Sequence, residues 1–219
     1  MIEAVTPRKR PVRRKGTKML KINPKTKTLL LKTLIHVVSL WVLARLFYLG
    51  AQDLLGADPV KEVIHSTGMG AFNLILLTLL VSPLAKKLKA GWLMQVRRLL
   101  GIYTFVYALI HLLSYIFFEL QFDFAMLVSE IIERPYITVG MAAFVILLPL
   151  TVTSLKYYQR KMGRKWQSLH NWVYLAATLI AVHFYWSIKS DLTEPLIYFA
   201  ITGVLLWLRK EKIKKAVTK

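Results

Sequence analysis

Five histidines and no cysteine set the chemistry open to this chain. Without Cys there is no disulfide, no Cys₄ zinc or iron–sulfur site and no C-x-x-C-H attachment of haem. Any metal is left to His, carboxylates or a bound cofactor. His111 lies midway along one apolar run, in Tyr107-Ala-Leu-Ile-His111-Leu-Leu-Ser114-Tyr115, and His170 and His183 lie near the two ends of another. Each alone reads as an imidazole hydrogen-bonded to a neighbouring helix; together they carry more. Thirteen residues separate His170 from His183, about 20 Å along a helix at ~1.5 Å per residue. That is the kind of separation two porphyrins stacked across a membrane bundle need. His111, just past the middle of its own run, falls at the depth of His183. Two neutral imidazoles on facing helices would give bis-His ligation of a haem, the arrangement suited to electron transfer. The angle fits less well: thirteen steps of ~100° leave the His170 and His183 rings about 140° apart on an ideal helix.

The inner layer lacks a matching pair. Thirteen and fourteen residues before His111 stand Arg98 and Arg97, and a guanidinium has no lone pair for iron. Arginine suits a haem propionate, a flavin phosphate or a lipid headgroup instead. His170 therefore binds an inner cofactor from one side only, or binds none. His65, at the outer end of its run, lies at the depth of the outer pair, within reach of a propionate or a quinone. His36 has no assigned role.

The elements that must position these residues are apolar helices. Of 219 residues, 56% are hydrophobic and 19% charged, against roughly 45–50% and about 25% in soluble domains. Six apolar stretches, about 28–50, 64–84, 99–120, 136–154, 168–187 and 195–208, follow a basic tail over residues 1–27. A spanning helix needs about 20 mainly apolar residues; five stretches reach that, and the last either begins a few residues earlier or spans with snorkelling ends. The expected organisation is a basic tail (1–27), a six-span all-α bundle (28–210) and a short basic C-terminal tail (211–219). The first stretch lacks the cleavage site of a signal peptide, and Arg13-Arg14 lacks the apolar residues of a twin-arginine signal. No repeat of 20–50 residues is evident.

The formal net charge of +20 first suggests nucleic acid, but its distribution argues otherwise. The N-terminal tail, the C-terminal end from Arg209 onward and the 85–98 and 155–167 connections hold 26 of the 31 Lys and Arg. The other three connections hold nine of the eleven acids. This alternation places both termini in the cytoplasm by the positive-inside rule. The surplus charge is topology and attraction to anionic lipid, with no nucleic-acid motif beside it. Gly68-Met69-Gly70-Ala71 admits either a flat macrocycle or close helix packing. Trp92, Trp166, Tyr136, Trp186 and Tyr198 read as interface anchors, and Pro83 and Pro149 as tolerated membrane-helix prolines. Residues 123–134 read as a short amphipathic helix on the outer surface.

Several of these residues form longer motifs: Gly56-Ala-Asp58-Pro59-Val60-Lys61, His65-x-Thr67-Gly68, Arg97-Arg98-Leu-Leu-Gly101, Leu112-x-Ser114-Tyr115, Arg134-Pro135-Tyr136 and Arg164-Lys165-Trp166-Gln167-x-Leu169-His170-Asn171-x-Val173-Tyr174-Leu175. Across about residues 28–210 the chain resembles the MsrQ (YedZ) family, haem-binding membrane subunits of the bacterial periplasmic methionine-sulfoxide reductase system. The resemblance implies a ferric-reductase-like transmembrane core related to the membrane domains of NADPH oxidases, carrying haem b, with FMN associated. It implies electrons taken from the quinone pool and passed to a periplasmic molybdenum-containing partner, MsrP. That partner repairs oxidised methionine. By resemblance His111 and His183 match ligand positions and His170 a further position. Relative to the oxidases the chain lacks a second third-helix His, and about ten residues after the last span are too few for a nucleotide-binding unit.

The expected function is therefore a six-span b-type cytochrome subunit of the bacterial inner membrane, with sulfoxide reduction on the partner. The different-class alternative is a small transporter or assembly factor whose histidines relay protons or bind substrate. Transport predicts acids within the spans, and only Glu119, at an end, is there.

Overall fold

The computed structural model describes residues 23–188 and 191–217, with side chains to residue 214. Most of the basic tail (residues 1–22), Lys189 and the last two residues lie outside the described residues. Ten helices occupy the rest. They are α1 Pro24–Ala51, α2 Pro59–Lys87, α3 Arg97–Ser114, α4 Phe124–Glu133, α5 Pro135–Val152, α6 Lys156–Met162, α7 Arg164–His170, α8 Val173–Ser187, α9 Thr193–Trp207 and α10 Lys210–Val217. A 3₁₀ stretch, Gly91–Val96, leads into α3, and a π-helical turn, Tyr115–Glu119, ends it.

The starts are written in the sequence. Asn23 and Asp58 each accept a backbone N–H at 3.0 Å, from Lys25 and Lys61, and a proline follows each. Such a cap satisfies an orphan donor, and Pro at the first position sacrifices none. Asp123 caps α4 through the Met126 amide at 2.9 Å. The amphipathic segment expected over 123–134 is thus a helix, and Pro135 opens α5 directly behind it.

Four segments are long and apolar enough to cross a membrane: Pro24–Ala51, Pro59–Lys87, Gly91–Glu119 and Pro135–Val152. α8 and α9 have 15 residues each, about 22 Å at ~1.5 Å per residue. Two boundaries differ from the sequence reading. α1 starts at Pro24, taking the last residues of the basic tail into the helix. The 168–187 stretch is two helices, because the chain turns at Asn171 and Trp172 between α7 and α8.

α2 packs most extensively on α3, and α5 on α8. The main core lies between α2, α5, α8 and α9, where Phe72, Ile75, Leu79, Leu147, Ala176, Ala177 and Leu205 are buried. Ala176 and Ala177 are wholly covered: small side chains let backbones approach where lipid gives no hydrophobic drive. A second cluster joins Leu43 of α1 to Ala71, Tyr103 and Tyr107. Most of α1 remains exposed, with Leu34, Val37, Val38, Leu40 and Trp41 all uncovered.

Candidate functional site

α3 and α8 bring His111 and His183 together. Their ring centroids lie 6.2 Å apart with planes at 79°. Each ring is held from behind: His111 Nδ1 is 2.8 Å from the carbonyl of Ile64 on α2, and His183 Nδ1 is 2.7 Å from that of Tyr136 on α5. A carbonyl only accepts, so each Nδ1 carries the proton and donates it. Each Nε2 is then left with the lone pair, the tautomer a metal requires.

The two supports are copies. In each, the acceptor carbonyl lies 47 residues before the histidine, and a glycine one turn later, Gly68 or Gly140, makes room for the ring. A β-carbon at Gly68 would stand 3.0 Å from His111 Nδ1, and one at Gly140 2.7 Å from His183 Nδ1. Glycine is required by this close approach, since the carbonyl's second lone pair is reachable only past the position of Cβ. All three members recur at an offset of 72 residues: Ile64, Gly68 and His111 against Tyr136, Gly140 and His183. The sequence carries the glycine and the histidine at that spacing, but the third member is a backbone atom and leaves no residue type to match.

The donor set fits a haem. Zinc sites use three or four protein ligands, and among the described residues no cluster of three His, Asp or Glu occurs. A macrocycle fills four positions itself and asks for two. His111 and His183, with ring centroids 6.2 Å apart and each Nε2 left free, are the two donors that a haem would need from the protein.

The other candidates fall elsewhere. His170 ends α7, and its Nε2 is 3.1 Å from Thr153 Oγ1. The Thr153 hydroxyl donates its one proton to the Pro149 carbonyl at 2.6 Å, so His170 Nε2–H is the donor to Thr153. The His170 ring stacks on Trp166 at 4.0 Å, and Trp166 Nε1 donates to the Thr153 carbonyl at 2.9 Å. Arg97 lies within electrostatic reach of His170. Arg97 is half-buried and Arg98 exposed. His65 is exposed, 6.3 Å from Phe184 between centroids, and within electrostatic reach of His111. His36 Nδ1 is 2.7 Å from the hydroxyl of Tyr103.

Three residues read as interface anchors are half-buried and also touch the bundle. Trp166 covers His170, Tyr136 supports His183, and the Tyr198 hydroxyl donates to Asn73 at 2.9 Å. The Gly68–Ala71 stretch is a packing surface: Gly68 receives the His111 ring and Gly70 the Tyr107 ring. Sequence reasoning missed Gly140 and the buried Arg209. The 72-residue offset from Gly68 is the signal that points to Gly140, whereas Arg209 reads in the sequence as one more topogenic charge.

Residues 66–181, which include His111 and end two residues short of His183, match the model of the ferric reductase like transmembrane component family. The chain is 46% identical over 186 residues to a protein-methionine-sulfoxide reductase heme-binding subunit MsrQ of Klebsiella pneumoniae, covering 84% of this chain and 92% of the relative. To the MsrQ of Salmonella arizonae it is 47% identical, covering 84% and 94%. No solved structure matches. With the match over residues 66–181 and the likeness to these subunits running through nearly all of the relatives' length, the chain belongs to the MsrQ family of ferric-reductase-like transmembrane proteins.

Proposed function

We propose that this chain is the membrane b-type cytochrome subunit of a protein-methionine-sulfoxide reductase system. It passes electrons from the quinone pool across the bacterial inner membrane to a periplasmic molybdenum-containing partner of the MsrP kind. The carrying observation is the His111–His183 pair, 6.2 Å apart with both Nδ1–H groups anchored on helix carbonyls. Bound haem b supplies a one-electron carrier at this site. His111 and His183 would hold it through Nε2. The Nδ1–H bonds fix ring orientation, hold the ligating tautomer and raise the basicity of the free nitrogen. Placing them on two helix pairs keeps the rings in register whether or not the lipid around them moves.

The proposal includes six spans with both termini cytoplasmic. α8 and α9 complete the count as short helices with snorkelling ends, and the charge alternation of the connections sets the direction. The His pair then lies toward the periplasmic face. An open groove of about 320 Å³ lined by Pro135, Tyr136 and Trp186 adjoins His183 there. His170 is proposed as an inner or supporting ligand position, and His65 as a hydrogen-bonding group for a propionate or a quinone. FMN enters through family membership, with Arg97 and Arg98 as groups for its phosphate, and anionic lipid through the basic connections.

The test is the visible spectrum of the detergent-purified protein, oxidised and dithionite-reduced, with haem counted per chain. A low-spin b-type spectrum is expected, collapsing in His111→Ala and in His183→Ala and only partly in His170→Ala. A protein that stays colourless after haem supplementation overturns the reading.

A further inference from the structure

At the end of the bundle away from the His111–His183 pair, the chain buries a guanidinium. Arg209, between α9 and α10, is 3% exposed. One of its terminal nitrogens donates to the carbonyl of Leu79, and the other lies 3.5 Å from the Tyr174 hydroxyl. The first contact has a cause in the sequence. The carbonyl of Leu79 would normally accept from the residue four positions on, but that residue is Pro83, which has no N–H. Arg209 fills the gap that the proline opens.

Its charge is not answered by this. A carbonyl and a phenol are neutral, and the Nε–H of Arg209 is buried without a partner. Among the described residues no carboxylate pairs with Arg209, and Glu211, two positions on, is exposed. Arginine cannot shed its proton to relieve the cost, and a buried charge left unpaired is strongly destabilising. The surroundings add more positive charge. Partial burial, with Arg209, Arg97 and Lys86 close by, holds Lys212 below the usual lysine range. Ile213, one residue on, packs against the main core, to which Tyr174 and Leu79 belong, so α10 lies against the bundle.

We infer that Arg209, Lys212, Lys86 and Arg97 form a binding site for a phosphate group, with the Nε–H of Arg209 as its innermost donor. Arg209, Arg97 and Lys86 lie within electrostatic reach of Lys212, and such a set, with no carboxylate paired to Arg209, suits a group that carries concentrated negative charge on several acceptor oxygens. Their place, where α2 and α9 end and α3 and α8 begin, is the depth of lipid headgroups. Basic pockets between spans on that side hold anionic lipid. Two sources offer the group: an anionic phospholipid, or the phosphate of FMN. The site stands whether or not the histidine pair holds haem.

The full-length protein in detergent is tested in two arms. FMN is titrated by flavin fluorescence against phosphate-free riboflavin. Retained phosphatidylglycerol is counted by native mass spectrometry against net-neutral phosphatidylcholine. Binding above control is expected in at least one arm, which identifies the source. It should weaken by roughly tenfold or more in Arg209→Gln and Lys212→Gln, the loss of a charge-assisted contact. Arg160→Gln, an equal charge change on exposed α6, should bind as the parent does. Should Arg209→Gln fail to fold, Lys212→Gln and Lys86→Gln, which leave Leu79 untouched, decide on the same criterion. No binding above control in either arm, or equal losses in Arg160→Gln, overturns the inference.

Discussion

Gly140 faces the His183 ring so closely that a β-carbon there would stand 2.7 Å from Nδ1, against 3.0 Å for Gly68 and His111. The two glycines do the same work with different clearance. Gly140→Ala must push His183 away from the Tyr136 carbonyl, whereas Gly68→Ala asks its ring to give by a few tenths of an ångström. Overpacking of this kind costs about 1–3 kcal/mol. In the purified protein Gly140→Ala should lose most of the low-spin haem spectrum, and Gly68→Ala should retain more of it. Equal spectra in both variants would show that the glycines do not set ligand position.

The bond between Arg209 and the Leu79 carbonyl makes a further expectation, about stability. Arg209→Leu leaves that carbonyl buried without a donor, a loss of about 1–3 kcal/mol. Pro83→Ala supplies an N–H four residues on and lets α2 satisfy Leu79 itself. The defect of Arg209→Leu should therefore be smaller in the Pro83→Ala background. A double-mutant cycle of thermal midpoints in detergent measures the coupling. Strict additivity would mean that Arg209 is held for its charge alone.

The absence of cysteine from the sequence makes orientation directly measurable. Single cysteines at Asp58, before α2, and at Glu194, early in α9, should react with an impermeant maleimide added to intact cells. Cysteines at Lys87 and Lys165 should react only after lysis. Labelling of Glu194→Cys only after lysis would remove α8 or α9 as a spanning helix.

Much of this was legible in the sequence because it rests on spacing along apolar runs. His111 and His183 were placed at one depth by counting residues, and they do meet. The 140° between His170 and His183 is that of one unbroken α-helix, and the α-helical pattern is interrupted at Asn171 and Trp172 between α7 and α8, where the backbone keeps right-handed helical dihedrals. What stayed hidden involves backbone atoms and helix junctions. The carbonyls of Ile64 and Tyr136 leave no mark on residue type, and only the glycines beside them do. Arg209 stands where positive-inside charge is expected, so nothing in its position distinguished a buried guanidinium from a solvated one. Trp166 and Tyr198 are half-buried and bond within the bundle as well, a second role that their place near span ends does not disclose.

At the other end of α3, Glu130 is buried to 7% exposure and ties three elements together. One of its oxygens accepts from Arg134 at 2.8 Å and from the Tyr115 hydroxyl at 3.0 Å. Arg134 is half exposed, so its ion pair is partly screened by solvent and adds little alone. The cost of change lies in the buried carboxylate. Arg134→Gln leaves Glu130 with the phenol as its one neutral donor, and Tyr115→Phe leaves it with the guanidinium. Glu130→Ala removes the charge together with both bonds and frees α4 from the π-helical turn. Glu130→Ala should lower the thermal midpoint by the equivalent of about 1–3 kcal/mol, and Tyr115→Phe by less. Because α4 leads straight into Pro135 and Tyr136, whose carbonyl holds His183, Glu130→Ala should also perturb the haem spectrum. A lowered midpoint with an unchanged spectrum would confine this cluster to stability and separate it from the site.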